Sequence, residues 1–165
     1  MNRATSSSLN LARALLALET GRSNGGGDRD SGDGGGGRVE HVVHVCHKLR
    51  DVLTAFAGSA GFRSLLTRAL TLAKERDSSL AKVQVLEDGT LAGLETLYPA
   101  DPPTKKPRNS AGAGAGAGAA GELLVTELLD LLIIFIGEPL THQLVSSAWP
   151  DAPSGALRFS MKETP

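Results

Sequence analysis

The strongest constraint on the fold is the segment 122–136, which is almost entirely apolar. After Glu122, its only polar side chains are Thr126, Glu127 and Asp130. At helical spacing the apolar arc covers much more than one face, which is typical of a central buried helix or of a membrane span. The apolar run is about 14 residues long, whereas a span needs roughly 20. We therefore predict a buried helix and no membrane span, with an interfacial or re-entrant segment as the alternative.

Two low-complexity stretches divide the chain into three parts. Residues 21–38 are rich in Gly and Asp, and residues 99–121 contain a Pro/Lys segment followed by an alternating Ala-Gly tract. Neither composition can bury enough apolar surface to offset the entropy that is lost on ordering. We predict that both are disordered, flexible linkers and that residues 152–165 form a tail. The parts 1–20, 39–98 and 122–151 are then expected to build one small core.

The first part is predicted to be an amphipathic helix. Leu11, Leu15 and Leu18 lie on one stripe of a helix at 9–18, which could dock on the rest of the bundle. Its Arg and Ser residues, with Glu19 as the only acid among residues 1–22, leave a targeting segment as the alternative.

The second part is predicted to be a helical hairpin. Gly58 and Gly61 predict a stop and a turn between a helix at 39–57 and a helix at 62–76. A connection this short makes the two helices antiparallel neighbours. The apolar stripe of the first of them consists of Val42, Val45, Cys46, Leu49, Val52, Leu53 and Phe56.

Two further elements follow from local signals. Residues 82–94 contain an alternating run and the turn signal Asp88-Gly89, which together allow a short β-hairpin. After the central helix, Pro139 suits the first turn of a C-terminal helix at 139–148. Trp149 should then cover one end of the core, with its indole N–H on a hydrogen-bond partner. The sequence thus predicts an all-α protein, a small bundle of about four to five helices with a short β-hairpin and long disordered linkers.

Charge and cysteine content limit the partner and the compartment. The formal net charge is −1, and a near-neutral chain does not favour a nucleic-acid partner. Cys46 is the only cysteine, so no intramolecular disulfide can form, which is compatible with a cytoplasmic location.

A metal site is the first chemical hypothesis. His41, His44 and His47 form a histidine ridge around Cys46. At helical spacing His44 and His47 point away from the apolar stripe and Cys46 points into it, so one helix cannot bring all of them to a tetrahedral centre. A site would need His44 and His47 with His142 or an acid from another helix, and a solvated ridge is the simpler interpretation.

Glu127 and Asp130 are the second chemical hypothesis. Acids on a central helix can act as general acid or base groups or as metal ligands. The competing interpretation is that this polar strip faces water, or faces the basic helix that carries Arg63 and Arg68.

No catalytic constellation or cofactor motif emerges. Residues 32–37 match G-x-G-x-x-G, but a polar linker precedes them in place of a strand. The sequence therefore favours a non-catalytic helical interaction module that binds a protein partner or forms a homo-oligomer. Its interface candidates are Leu11, Leu15, Leu18 and Trp149. The alternatives are a small metal-dependent helical enzyme or sensor, which would use the histidine ridge or the Glu127/Asp130 strip, and a peripheral membrane protein.

Overall fold

A computed structural model of the chain describes residues 3–23, 36–97 and 113–152. It contains the helices α1 (Arg3–Ser23), α2 (Gly36–Arg76), α3 (Ala113–Ile136) and α4 (Glu138–Ala148). Between α2 and α3 lie two 3₁₀ turns, Ser78–Lys82 and Leu94–Leu97, and the short strands β1 (Gln84–Val85) and β2 (Leu91–Ala92). The described part of the chain is thus an all-α bundle with one short hairpin, as the sequence predicts.

The apolar helix α3 is the centre of the bundle, because it packs against α1, α2 and α4. Its large buried apolar side chains are Leu124, Val125, Leu128, Leu129, Leu131 and Leu132. Removal of such apolar surface from water contributes roughly 25 cal/mol per Å² and is the main favourable term in folding. No helix in the described ranges is both long and apolar enough to cross a bilayer.

The predicted linker 99–121 needs a correction at its end. Residues 113–121 of the Ala-Gly tract are not a spacer but the first turns of α3. Adding a residue to an existing helix is much easier than starting one, and Ala is the best helix former. Burial of Ala120 and Gly121 adds packing that composition alone does not reveal.

Helices extend into both ends of the other predicted linker, residues 21–38. α1 continues to Ser23 and α2 begins at Gly36, so both ends of the stretch 21–38 are helical. Residues 24–35, 98–112 and 153–165 lie outside the described residues, so the disorder predicted for the two linkers and the tail predicted at 152–165 stay predictions.

Two polar contacts fix the direction of α1 relative to α3. Arg13 Nε lies 2.6 Å from Glu122 Oε1, and Ser8 Oγ donates to Asp130 Oδ1 at 2.5 Å. The later residue of α1 therefore meets the earlier residue of α3, so the helices are antiparallel. The C-terminal end of α1 and the C-terminal end of α3 consequently lie at opposite ends of the bundle.

The long helix α2 is two segments joined at Gly58. This glycine has φ 76° and ψ 166°, a conformation that is essentially restricted to glycine. The segment before it starts beside the end of α1, where His41 Nδ1 lies 3.2 Å from Thr20 Oγ1. The segment after it runs back along α3, from Phe135 near Ala60 and Arg63 to Glu127 beside Arg76. The two segments of α2 therefore form a helical hairpin.

Phe56 departs from its predicted place in the apolar stripe. Its side chain is 59% exposed, whereas Val45, Leu49 and Leu53 on the same segment are buried. Phe56 lies two residues before the Gly58 turn, at the edge of the bundle. Periodicity assigns it to the core face, but the covering helices do not extend over it.

The predicted β-hairpin is confirmed. β1 and β2 are antiparallel, with Gln84 opposite Ala92 and Val85 opposite Leu91. Asp88 accepts hydrogen bonds from the N–H and the hydroxyl of Thr90, at 2.9 and 2.6 Å, which fixes the turn. A two-stranded hairpin is marginal by itself. Two buried side chains before the hairpin and two after it anchor it to the helices: Leu80, Val83, Leu94 and Leu97.

Candidate functional site

Two large apolar side chains are exposed side by side at the C-terminal end of α3. Ile134 is 72% exposed and Phe135 is 63% exposed, although both belong to the same apolar run as the core residues of this helix. Single exposed apolar residues are common on protein surfaces, but contiguous ones typically mark an interaction surface. These two residues are therefore the starting point for a candidate site.

Phe135 faces the second segment of α2 across an open groove of about 640 Å³. The side chains that line it from α2 are Ala60, Arg63, Ser64, Leu65, Thr67, Arg68 and Thr71. Apart from Leu65, they recur three and four residues apart, so they form one face of the helix. The opposite face carries buried core residues such as Phe62, Leu66 and Ala69. We call this surface the Phe135 groove, and Ile134 adjoins it in the sequence.

The polar groups of the Phe135 groove are unequally engaged. Thr67 and Thr71 donate their hydroxyl hydrogens to the carbonyl oxygens of Arg63 and Thr67, at 2.8 and 2.9 Å, within the helix. Arg63 and Arg68 make no ion pair with any residue in the described ranges, in contrast to Arg13 and Lys48. None of the eight lining residues is acidic. The groove therefore presents two available guanidinium groups beside an exposed aromatic ring.

The predicted interface residues lie in the core of this chain. Leu11 and Leu15 are buried, Leu18 is partly buried against the core, and Trp149 is 2% exposed. Their role in binding a partner stays a prediction, because it would require α1 and Trp149 to leave these positions. The large apolar side chains that are exposed in the folded chain lie elsewhere, notably at Ile134 and Phe135.

Trp149 covers one end of the core and its indole N–H has a partner, as the sequence predicts. The Nε1–H donates to Glu19 Oε1 at 2.7 Å. The Lys48 ammonium donates to the same carboxylate and lies 5.2 Å from the centre of the Trp149 ring, within cation–π range. His44 Nδ1 lies 3.7 Å from Glu19 Oε2. These four residues, the Glu19 cluster, join α1 and α2 to the end of α4.

The Glu19 cluster keeps its carboxylate ionised. Burial by itself would raise the pKa of Glu19. The hydrogen bonds from Lys48 and Trp149, with the electrostatic interactions of Lys48 and His44, outweigh burial and hold the pKa of Glu19 below its usual value. Lys48 and Trp149 thus both donate to an ionised acceptor, and the cluster stabilises the contact between these helices.

The histidine candidates do not converge in the structure. His44 and His47 are exposed on α2, His142 is partly buried on α4, and Cys46 is buried on the core side of α2, as its spacing predicts. Burial raises the pKa of the Cys46 thiol to about 12, so this group stays neutral at physiological pH. Within the described ranges, no three His, Cys, Asp or Glu side chains are placed to hold a metal ion. The metal hypothesis therefore stays a prediction.

The strip of Glu127 and Asp130 faces other helices rather than water. Glu127 is buried, and its Oε1 lies 3.0 Å from Arg76 Nη1 without the alignment of a hydrogen bond. Burial raises the pKa of Glu127, the Arg76 charge opposes this rise and the Asp130 charge adds to it. Asp130 accepts the hydrogen bond from Ser8. Glu127 therefore faces the helix that carries Arg63 and Arg68, but its partner on that helix is Arg76.

The sequence offers Arg63 and Arg68 as partners of the Glu127/Asp130 strip and does not join them to Phe135. It assigns Ile134 and Phe135 to the buried run because their neighbours are equally apolar. Their position in the sequence could have indicated exposure, since both residues lie just before Gly137, where the helix ends.

The comparisons with known proteins add no assignment. No protein-family model matches the chain, and neither the curated proteins nor the solved structures contain a match.

Proposed function

We propose that this protein is a non-catalytic helical interaction module that binds another protein through the Phe135 groove. The observation that carries the proposal is the exposure of Ile134 and Phe135, at 72% and 63%, at the end of the central helix α3. Burial of a large apolar side chain contributes about 1.5–3 kcal/mol, which is a substantial part of a specific interface. An aromatic residue and arginines are also the types that dominate binding energy at interfaces.

The same observation is compatible with a second copy of the chain as the partner. A face with large apolar side chains can pair with itself about a two-fold axis. A nucleic-acid partner is not proposed, because the net charge is −1 and the groove offers only Arg63 and Arg68 as cations. The cytoplasm is the proposed compartment, in line with a single free and buried cysteine.

Site-specific photocrosslinking tests the proposal. A benzophenone amino acid replaces Phe135 in the tagged full-length chain, which is expressed in its native host and irradiated. The matched control carries the same group at Leu86, another exposed apolar residue, on the hairpin. We expect a discrete adduct at 135 and none at 86. Absence of an adduct at both positions, or equal labelling at both, would contradict the proposal.

A second experiment connects the adduct to the exposed side chains. The double variant Ile134→Ser and Phe135→Ser, with the photocrosslinker moved to Ala60 in the same groove, should fold normally because neither wild-type side chain is buried. We expect it to lose most of the adduct that the crosslinker at Ala60 gives in the otherwise unchanged chain. Undiminished labelling would show that these two side chains contribute nothing to binding.

A further inference from the structure

We propose that the occupant of the Phe135 groove is an acidic amphipathic helix of a partner protein. Such a helix would place carboxylates on Arg63 and Arg68 and a large apolar side chain on Phe135. This inference rests on the proposed function, since it names the partner for the same surface.

Charge is the first argument. The groove contains two guanidinium groups without an ion-pair partner among the described residues, and none of its lining residues is acidic. A guanidinium group binds a carboxylate through two parallel N–H···O bonds, which makes the pair both strong and geometrically specific. The complementary ligand is therefore one that offers carboxylates in fixed positions.

The position of the two arginines is the second argument. On a helix, a separation of five residues places Arg63 and Arg68 about 140° apart, at 100° per residue. They thus flank the two sides of the groove, and the shorter side chains of Ala60, Ser64 and Thr67 lie between them. A ligand that lies between the arginines can therefore meet one of them on each side.

The length of the groove is the third argument. From Ala60 to Thr71 the face extends about 16 Å, at 1.5 Å per residue. That is about three turns of a second helix, and amphipathic helices bind grooves through apolar anchors at spacings of three and four residues. Phe135 at the edge of the groove supplies the apolar contact for such an anchor.

An anionic membrane fits these observations less well. Attraction to anionic lipid scales with the number of cations near the surface, and lipid-binding segments carry clusters of four or more. Among the described residues, the cations that line the groove are Arg63 and Arg68. A carboxylate-bearing helix gains paired hydrogen bonds and apolar burial together, which two isolated cations on a lipid surface would not provide.

A charge-swap titration tests the inference with defined probes. Two fluorescein-labelled, hydrocarbon-stapled helical peptides share the same Leu and Ala positions, and one carries Glu where the other carries Lys. Fluorescence anisotropy measures their binding to the full chain, to Arg68→Glu, to the double variant Arg63→Glu/Arg68→Glu and to the matched control Lys82→Glu. Lys82 is exposed and lies outside the groove. Circular dichroism verifies that each variant is folded.

We expect the unchanged chain to prefer the Glu peptide by at least about tenfold, the equivalent of one charged hydrogen bond. Arg68→Glu should weaken this binding by about tenfold, and Lys82→Glu should change it less than about twofold. The double variant should prefer the Lys peptide. Equal affinity for both peptides, or retention of the Glu peptide by the double variant, would overturn the inference. Binding to phosphatidylserine vesicles that depends on both arginines, without preference between the peptides, would also overturn it.

Mapping of the Phe135 photoadduct separates this inference from the proposed function. An adduct on an acidic helical segment of another protein supports both. An adduct on a segment without carboxylates, or on a second copy of this chain, overturns the acidic-helix inference but leaves the interaction module standing. If no adduct forms and neither peptide binds, both fail.

Discussion

The Glu19 cluster and the Phe135 groove use similar side chains at opposite ends of the bundle. Each combines an aromatic ring with basic groups, but their surroundings differ. At the Glu19 cluster, the Trp149 ring is buried and Lys48 and Trp149 both donate to one carboxylate. At the Phe135 groove, the ring is 63% exposed, and no acid among the described residues forms an ion pair with Arg63 or Arg68.

The difference lies in the carboxylate. In the Glu19 cluster, the Glu19 carboxylate accepts hydrogen bonds from Lys48 and Trp149, so these interactions stabilise the packing of α1, α2 and α4. The Phe135 groove has the aromatic and cationic components without an acid from the described part of the chain. A surface of this kind can obtain its acid from another molecule, which is the basis of the acidic-helix inference.

The largest expected effect comes from deleting the two aromatic rings in turn. Trp149→Ala should lower the free energy of unfolding by about 3–5 kcal/mol, because it leaves a cavity and removes a donor from Glu19. Phe135→Ala should change it by no more than about 0.5 kcal/mol, since the ring is exposed. Urea denaturation followed by far-UV circular dichroism measures both. Equal losses would remove the contrast between the two ends.

A smaller effect is expected at the turn that brings Arg63 and Arg68 beside Phe135. Gly58→Ala should cost about 1–3 kcal/mol of backbone strain, although open space surrounds the position. The matched control is Gly21→Ala in α1, which also meets open space but has no positive φ. It should stabilise the chain by about 0.5–1 kcal/mol. Thermal unfolding compares them, and a harmless Gly58→Ala would mean that the hairpin turn differs from the one described.

A charge substitution in the Glu19 cluster should have a pH-dependent effect. Glu19→Gln should lower the free energy of unfolding by about 1.5 kcal/mol at neutral pH, because Lys48 loses its ionised partner. The folded-state pKa of Glu19 lies below its usual value of 4.5. Its contribution is therefore complete above that unfolded value and is lost as the pH falls through the folded value. Urea titrations at a series of pH values would contradict this if the loss were the same in acid.

The smallest effect, of opposite sign, is expected for the buried acid of α3. Glu127→Gln should raise the free energy of unfolding by about 1 kcal/mol at neutral pH, because Arg76 is exposed enough to remain hydrated without its partner. The folded-state pKa of Glu127 lies above 4.5, so wild-type stability falls as the pH rises from that value through the folded one. The gain of the variant should therefore vanish below about pH 4.5.

The control for this variant is Glu122→Gln, which breaks the more exposed ion pair with Arg13. It should lower stability by less than about 1 kcal/mol. Thermal denaturation of both variants across the pH range gives the comparison, and a loss of stability for Glu127→Gln at neutral pH would refute the assignment of a raised pKa.

Much of the fold follows from local patterns that the sequence carries by itself. The spacing of Leu49 and Leu53 indicates a helix and its buried face, and Asp88-Gly89 marks the hairpin turn. Trp149 was expected to be buried with a partner for its N–H because an indole in a core requires one. Each of these inferences needs only a period, a turn preference or the chemistry of one side chain.

Other features depend on how far one helix extends beside another. Phe56 and Ile134 continue apolar stripes and yet are exposed, because no helix in the described ranges covers the ends at which they lie. The Ala-Gly residues 113–121 become helical because α3 provides a helix that they can extend. Neither outcome is encoded in the local pattern of the residues concerned.

The sequence by itself determined the class of fold and the central position of α3. The tertiary structure decided that Glu19 is the acceptor for Trp149 and Lys48, that Glu127 pairs with Arg76, and that Phe135 lies beside Arg63 and Arg68. The physical reason is that hydrophobic periodicity repeats along one helix, whereas these pairings depend on the register between helices that are distant in sequence.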